Sequence, residues 1–524
     1  MSSAVEFIKH PELVFGIAGP IGVDVDQITD SLQSALKSVH YEAHIIKLTT
    51  DMKKYKLDIE EPREKDLYSD INFKIDYANG LCKKFNSGDT LARIAIRSIT
   101  IKRNSIRKKE NRLPNYIPQN TAYIIRQLKR PDEVALLRKV YGRQFILISA
   151  YGSTEEREKR LSSKLRQSLV PISEVGEKVR KLIERDAGED DYFGQQLRET
   201  FHLADAFISG IIRSDMDANI NRFIHAFFGR NDIAPSKSEY GMYAAKSASL
   251  RSSDLSRQVG AAIFSNDGEL ITQGCNEVPK SFGGTYWDLE KPDFRDVSIG
   301  QDPNELLKKE LLSDLFERLK NHGLLSEKAL QWGSSAHIVE KVTLKNKGNI
   351  NEGEGALSGA SVMDLTEYGR VVHAEMCAIC DAARLGRSIK GATLYCTTFP
   401  CHNRTKHILA CGIKCVVYME PYPKSKAKDL HENEIEIEKI APNKVSFVPF
   451  IGISPYRYRD IFQKGKRKKS DGTARRWYNS NDIEAPMIEV VAQNYSEIED
   501  SAISGLIGQF YDANNEEESS KIEN

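Results

Sequence analysis

Val371-Val372-His373-Ala374-Glu375, followed by Pro400-Cys401-His402-Asn403-Arg404, is the stretch on which the reading of this chain turns. His373 opens a helical pattern that runs to about residue 385, and Cys401 opens a second that runs to about 411. Residues 393–397 (TLYCT) read as a strand feeding the second helix, and 414–419 as a strand leaving it. Upstream, residues 259–264 and 270–274 read as a hairpin, with its turn at Asn266-Asp267-Gly268. Residues 239–250 read as a helix. The expected unit is a mixed α/β/α domain over residues 236–462. Residues 286–367 interrupt it as an insertion, with a helix over 303–321 and a glycine-rich loop over 347–359.

The ordered residues suggest a particular chemistry. Hydrolytic removal of an amino group from a cytosine ring needs a nucleophile stronger than water. A bound zinc ion supplies one by lowering the pKa of its water to about 7. The signature of such sites is His-x-Glu followed by Pro-Cys-x-x-Cys, the glutamate moving protons without touching the metal. His373 and Cys401 are therefore the candidate zinc ligands, and Glu375 the candidate general acid and base. Both ligands sit at helix starts, where the positive dipole ends favour thiolate and hydroxide. The plainer reading, an ordinary helix start and a buried thiol, fits each residue alone but not the ordered set.

The pattern then breaks. Arg404 stands where the second cysteine belongs, and a guanidinium has no lone pair to offer a metal. Three readings stay open. The first, which the chemistry favours, is an inactivated or impaired form. The second is a substitute ligand: His407 reaches poorly, Cys411 lies about 10 Å along the helix axis, and His402 points elsewhere. The third is weak zinc binding through two protein ligands. Cys377 and Cys380 form a Cys-x-x-Cys, but on a helix and without a second pair, which suits buried small hydrophobes.

Residues 239–420 resemble the deoxycytidylate deaminases. The likeness rests on Ala248-Ser249-Leu250-Arg251-Ser252-Ser253-Asp254, Arg257-Gln258-Val259-Gly260-Ala261 and Gly274-Cys275-Asn276-Glu277-Val278-Pro279, with the two segments quoted first. It implies that Asn276 contacts a deoxyribose and that Arg251 or Lys280 approaches a phosphate. The alternative for Arg251 is a surface ion pair with Asp254. The whole chain resembles a narrower group, bacterial proteins joining a P-loop kinase-like domain to a deoxycytidine nucleotide deaminase. Ile124-Ile125-Arg126-Gln127-Leu128-Lys129-Arg130-Pro131-Asp132-Glu133-Val134 and Phe201-His202-Leu203-Ala204-Asp205 carry that likeness. It implies conversion of dCTP and dCMP to their uracil forms in anti-phage defence by nucleotide depletion. It also implies control by a small inhibitory RNA, as in some of that group, while the deoxycytidylate deaminase resemblance implies a homo-oligomeric assembly.

The first 235 residues alternate apolar strands with amphipathic helices, which predicts a parallel sheet covered on both faces. Strands are expected over 14–18, 43–48, 121–128 and 144–150. Helices are expected over 26–39, with Ile28, Leu32, Ala35 and Leu36 on one face, near 131, and from 154. Gly16, Gly19 and Gly22 resemble the opening of a phosphate-binding loop, but Asp24, Val25 and Asp26 replace the lysine and hydroxyl such a loop requires. Two carboxylates at that place would repel phosphate. The expectation is a kinase-like fold without kinase chemistry, or a glycine turn that only joins strand to helix.

The charge balance, 75 basic against 74 acidic residues, argues against a surface built wholly for nucleic acid. One local cluster stands out: Lys464, Lys466, Arg467, Lys468 and Lys469, with Arg475 and Arg476 nearby and Tyr456, Tyr458, Phe462 and Trp477 flanking. It reads as a solvated charge run, a triphosphate clamp or an RNA contact. Residues 463–524 are expected to be this basic segment and a disordered acidic tail. With no apolar run near ~18 residues and no signal-peptide pattern, the expected compartment is the cytoplasm and no membrane partner is expected. Eight cysteines then suggest reduced thiols or metal ligands and not a disulfide framework. Two functions compete with the nucleotide deaminase: a non-catalytic nucleotide or RNA sensor, and a polynucleotide cytidine deaminase.

Overall fold

The structure, a computed structural model, describes residues 8–113, 116–168, 170–189, 191–344, 355–422, 425–475, 485–488 and 495–506. The chain divides into two compact units. The first comprises residues 1–243, 419–421 and 449 onward; the second comprises 244–418 and 422–448.

The first unit is organised by β1 (Leu13–Ala18), β2 (Glu42–Lys47), β3 (Thr121–Arg126), β4 (Phe145–Tyr151) and β5 (Ala206–Ser209). They form one sheet in the order β5-β4-β1-β3-β2, every pairing parallel. Central β1 is apolar and buried along its whole length, as a strand covered on both faces must be. Phe15 is in register with Ile124 on one side and Ile146 on the other. The helix Val25–Ser38 buries Ile28, Leu32, Ala35 and Leu36, the expected face, onto the core with Phe223 and Phe227. The expected strands over 43–48, 121–128 and 144–150 and the helices from 131 and 154 are present.

The chain then returns to this unit. Gly452–Ile453 adds an antiparallel edge strand against β5. Arg457, nearly fully buried, donates from Nε to Asp205 Oδ1 at 2.8 Å and from Nη2 to Phe145 O at 2.8 Å. The division therefore differs from the expected one: residues 449–462 were expected with 236–448, but their hydrogen bonds lie in the first unit. Residues 495–506 are helical, which corrects the expectation of a disordered tail over that span. Tyr495 and Glu499 on this helix are buried, and Arg103 joins Glu499 to Glu12. The rest of the expected tail, 507–524, lies outside the described residues, as do Arg476 and Trp477. So do residues 347–354 of the expected glycine-rich loop.

The second unit is built on β6 (Gly260–Phe264), β7 (Leu270–Cys275), β8 (Thr393–Thr398), β9 (Cys415–Glu420), β10 (Ile435–Ile437) and β11 (Val445–Pro449), in the order β10-β11-β9-β8-β6-β7. β6 pairs antiparallel with β7 and β8, and β10 runs parallel to β11. The hairpin turn falls where Asn266-Asp267-Gly268 placed it, with Gly268 at φ +107°. The insertion carries the expected helix, Pro303–Asn321. That helix is tied to the end of the insertion by Lys308 Nζ to Met363 O at 2.9 Å and Asn304 Nδ2 to Leu365 O at 3.0 Å. Among the described residues no helix is long and apolar enough to cross a membrane.

Candidate active site

The two motif segments each end a connection at a helix start. His373 is the N-cap of the helix Ala374–Arg384, and Cys401 the N-cap of His402–Ala410. The first helix lies so close to β7 that a Cβ on Gly274 would stand 2.5 Å from Ala374 O and 2.6 Å from Ala378 N. Glycine at that position lets the helix, and with it His373 and Glu375, sit down on the sheet. A backbone bridge, Glu277 N to Val372 O at 3.2 Å and Val372 N to Glu277 O at 3.0 Å, fixes the residue before His373.

Arg404 completes the constellation. Its Nη1 donates to Glu375 Oε1 at 3.1 Å, and its Nη2 donates to His373 Nδ1 at 2.8 Å. Glu375 is fully buried, and the Arg404 side chain is 12% exposed. Burial first, and the guanidinium second, push the His373 imidazole down to about 4. At neutral pH it is an uncharged acceptor, which suits the bond from Arg404. Glu375 Oε2 and Arg404 Nε have no partner among the described residues.

A zinc site needs three protein ligands with free lone pairs. His373 Nδ1 is engaged by Arg404, Cys401 supplies one thiol, and the third position carries a cation. Among the described residues no group of three His, Cys, Asp or Glu side chains is placed to hold a metal ion. The residues present do not fit zinc. The guanidinium stands beside the histidine and the glutamate as the site's own positive charge.

The residues expected to contact substrate have partners within the fold. Asn276 Oδ1 accepts from Val259 N at 2.7 Å, and its Nδ2 donates to Arg257 O at 2.8 Å. Both ends of the amide thus hold the 257–259 backbone. The Arg251 guanidinium lies 3.6 Å over the Trp287 ring and donates to Tyr286 O and to the hydroxyl and carbonyl of Thr285. Asp254, its expected partner, instead accepts from the Ser256 and Arg257 amides. Lys280 is paired with Glu290 at 2.8 Å. Glu277 was not singled out by the sequence reading, yet it is the organising residue of this loop. Buried, it accepts from Ser253 N at 2.9 Å, Ser253 Oγ at 2.6 Å and Val278 N at 2.9 Å. A single glutamate in a loop carries no signal of that role. Gly16 lies in β1, and Gly19 and Gly22 in the turn that follows it, all in the first unit.

Residues 235–420 match the family model described as the cytidine and deoxycytidylate deaminase zinc-binding region. The deoxycytidylate deaminases of Enterobacteria phages T2 and T4 are each 53% identical over 55 residues. That is 10% of this chain, and 29% and 28% of those proteins. ComE operon protein 2 of Bacillus subtilis (strain 168) is 36% identical over 75 residues, 14% of this chain and 40% of that protein. The chain thus spans less than a third of the phage relatives it matches. The solved dCMP deaminase of cyanophage S-TIM5, in its apo form, aligns over 41% of this chain and 99% of its own, at 17% identity and a TM-score of 0.21. The second half of the chain contains a dCMP deaminase-like domain.

Proposed function

We propose that this domain is a hydrolytic deaminase of deoxycytidine nucleotides whose chemistry is blocked in this chain by Arg404. The observation that carries the reading is the guanidinium bound at once to His373 and Glu375. The reaction replaces a ring amino group by a carbonyl oxygen from water and releases ammonia. It needs an activated water and a carboxylate free to move protons. Here the carboxylate is held in an ion pair, and the histidine lone pair accepts a hydrogen bond. Substrate choice, dCMP, dCTP or both, follows from the deoxycytidylate deaminase resemblance. The resemblance to the narrower two-domain group adds a role in starving phage DNA synthesis, with control by a small RNA. For the first unit we hold to a P-loop kinase-like fold without kinase chemistry; the parallel sheet and the glycine turn after β1 support it.

The test is Arg404→Cys. The substituted chain is expected to bind close to one zinc per molecule, to release ammonia from dCMP or dCTP, and to lose both properties to a chelator. The unmodified chain is expected to carry little zinc and to be indifferent to the chelator. An Arg404→Cys protein that holds zinc yet leaves both nucleotides unchanged would sink the proposal. Turnover of a cytosine-containing oligonucleotide in place of free nucleotide would move the assignment to a polynucleotide deaminase.

A further inference from the structure

The glycine turn after β1 lies at the carboxyl end of the central strand of a parallel sheet, where open α/β sheets bind ligands. Loops of this kind hold phosphates with backbone N–H groups and a lysine. In this chain a lysine and three amides of the turn are already occupied. Ile21 N donates to Asp186 Oδ2 at 2.7 Å. Lys129 Nζ donates to Asp186 Oδ1 at 2.6 Å and to Gly19 O at 2.7 Å. Val23 N is bound to Pro20 O, and Asp24 N to Gly210 O. Asp186 is 3% exposed and lies near the end of the helix Ile172–Ala187, far from the turn in sequence. One carboxylate thus accepts from both a loop amide and a lysine, the two donor types a phosphate would use.

The surroundings close the space further. Gly22 has φ +101°, and a Cβ there would stand 2.7 Å from Arg157 Cβ and 3.0 Å from Arg157 Cα, so the helix Thr154–Gln167 presses on the turn. Asp24 and Asp26, expected to repel phosphate, are each paired with an arginine. Asp24 caps the helix Val25–Ser38 and pairs with Arg160; Asp26 pairs with Arg126 at 2.7 Å. The block is therefore a filled cradle and not bare repulsion.

We infer that the turn is an anion-binding cradle whose resident anion is the Asp186 carboxylate, and that a phosphoryl group enters only when that carboxylate is removed. Lys129 belongs to the Ile124–Val134 stretch quoted above, and the cradle gives it a role.

The test uses the full chain and inorganic phosphate as the probe. Asp186→Ala leaves Lys129 and the Ile21 N–H without their acceptor. Its Tm is expected to fall, then to rise saturably with phosphate by roughly 4 °C or more. Potassium chloride at matched ionic strength should not reproduce the rise, and Asp186→Ala/Lys129→Met should lose it. Asp186→Asn keeps the side-chain volume and is the second variant should the alanine chain fold poorly. It is expected to respond to phosphate more weakly than Asp186→Ala, but measurably. The unmodified chain, in equilibrium dialysis against phosphate, is expected to bind none saturably. Saturable binding by the unmodified chain overturns the inference, as does the same phosphate response in both variants as in the unmodified chain.

Discussion

The Glu375 carboxylate is buried against the Arg404 guanidinium, Oε1 to Nη1 at 3.1 Å. Removing one partner of a buried pair strands the other charge, which typically costs about 3–5 kcal/mol, whereas removing both is far cheaper. Arg404→Met is therefore expected to destabilise the chain by about that amount, and Glu375→Gln/Arg404→Met by much less. Urea denaturation of Arg404→Met, Glu375→Gln and the double variant measures the coupling; a double loss equal to the sum of the two single losses would show that the side chains are not coupled. The motif made His373, Glu375, Cys401 and Arg404 legible because their spacing around two helix starts is local. Which group neutralises Arg404 was not legible, since Glu375 lies 29 residues away. The bonds of Asn276 to Val259 N and Arg257 O were not legible either, since they join positions 17 and 19 residues apart.

Close packing of the helix Ala374–Arg384 on β7 carries the site, and Gly274 makes it possible. Gly274→Ala forces the helix outward. Overpacking of this kind costs about 1–3 kcal/mol, and it moves His373 and Glu375 together. In an Arg404→Cys background it is expected to lower zinc occupancy, measured as bound metal per chain; unchanged occupancy would show that the helix position does not set the ligand geometry. The helical residues 495–506 show the converse, an element that composition hid. Their charge-rich neighbourhood suggested disorder. One glutamate decides otherwise: Arg103 Nη1 donates to Glu499 Oε2 at 2.6 Å and Tyr141 Oη to Glu499 Oε1 at 2.8 Å, all three buried. Glu499→Ala is expected to cost about 3–5 kcal/mol, as for any broken buried pair. A loss within about 0.5 kcal/mol, the range of ordinary surface changes, would show that the helix is not anchored there.

The alternation of strands and helices announced the parallel sheet of the first unit, because a buried strand such as Leu13–Ala18 needs no distant information to be recognised. The return of the chain to that unit after residue 448 was illegible. Gly452–Ile453 is too short to signal a strand, and Arg457 finds Asp205 at a separation of 252 residues. A local change of pattern near Ile233–Ser236 therefore looked like a clean boundary. The unit instead needs both ends of the sequence: Asp205 is buried and takes its bond from Arg457, and Arg103 is buried between Glu12 and Glu499. A chain ending at residue 448 removes Arg457, Glu499 and the edge strand on β5 in one step. Those losses leave Asp205 and Arg103 short of buried partners, the condition that most destabilises a core. Limited proteolysis of that fragment is expected to cut rapidly within residues 8–243, and co-expression of residues 449–524 to restore resistance. A fragment as resistant as the full chain would show that the first 243 residues are self-sufficient and that the returning segment is an ornament on a finished fold.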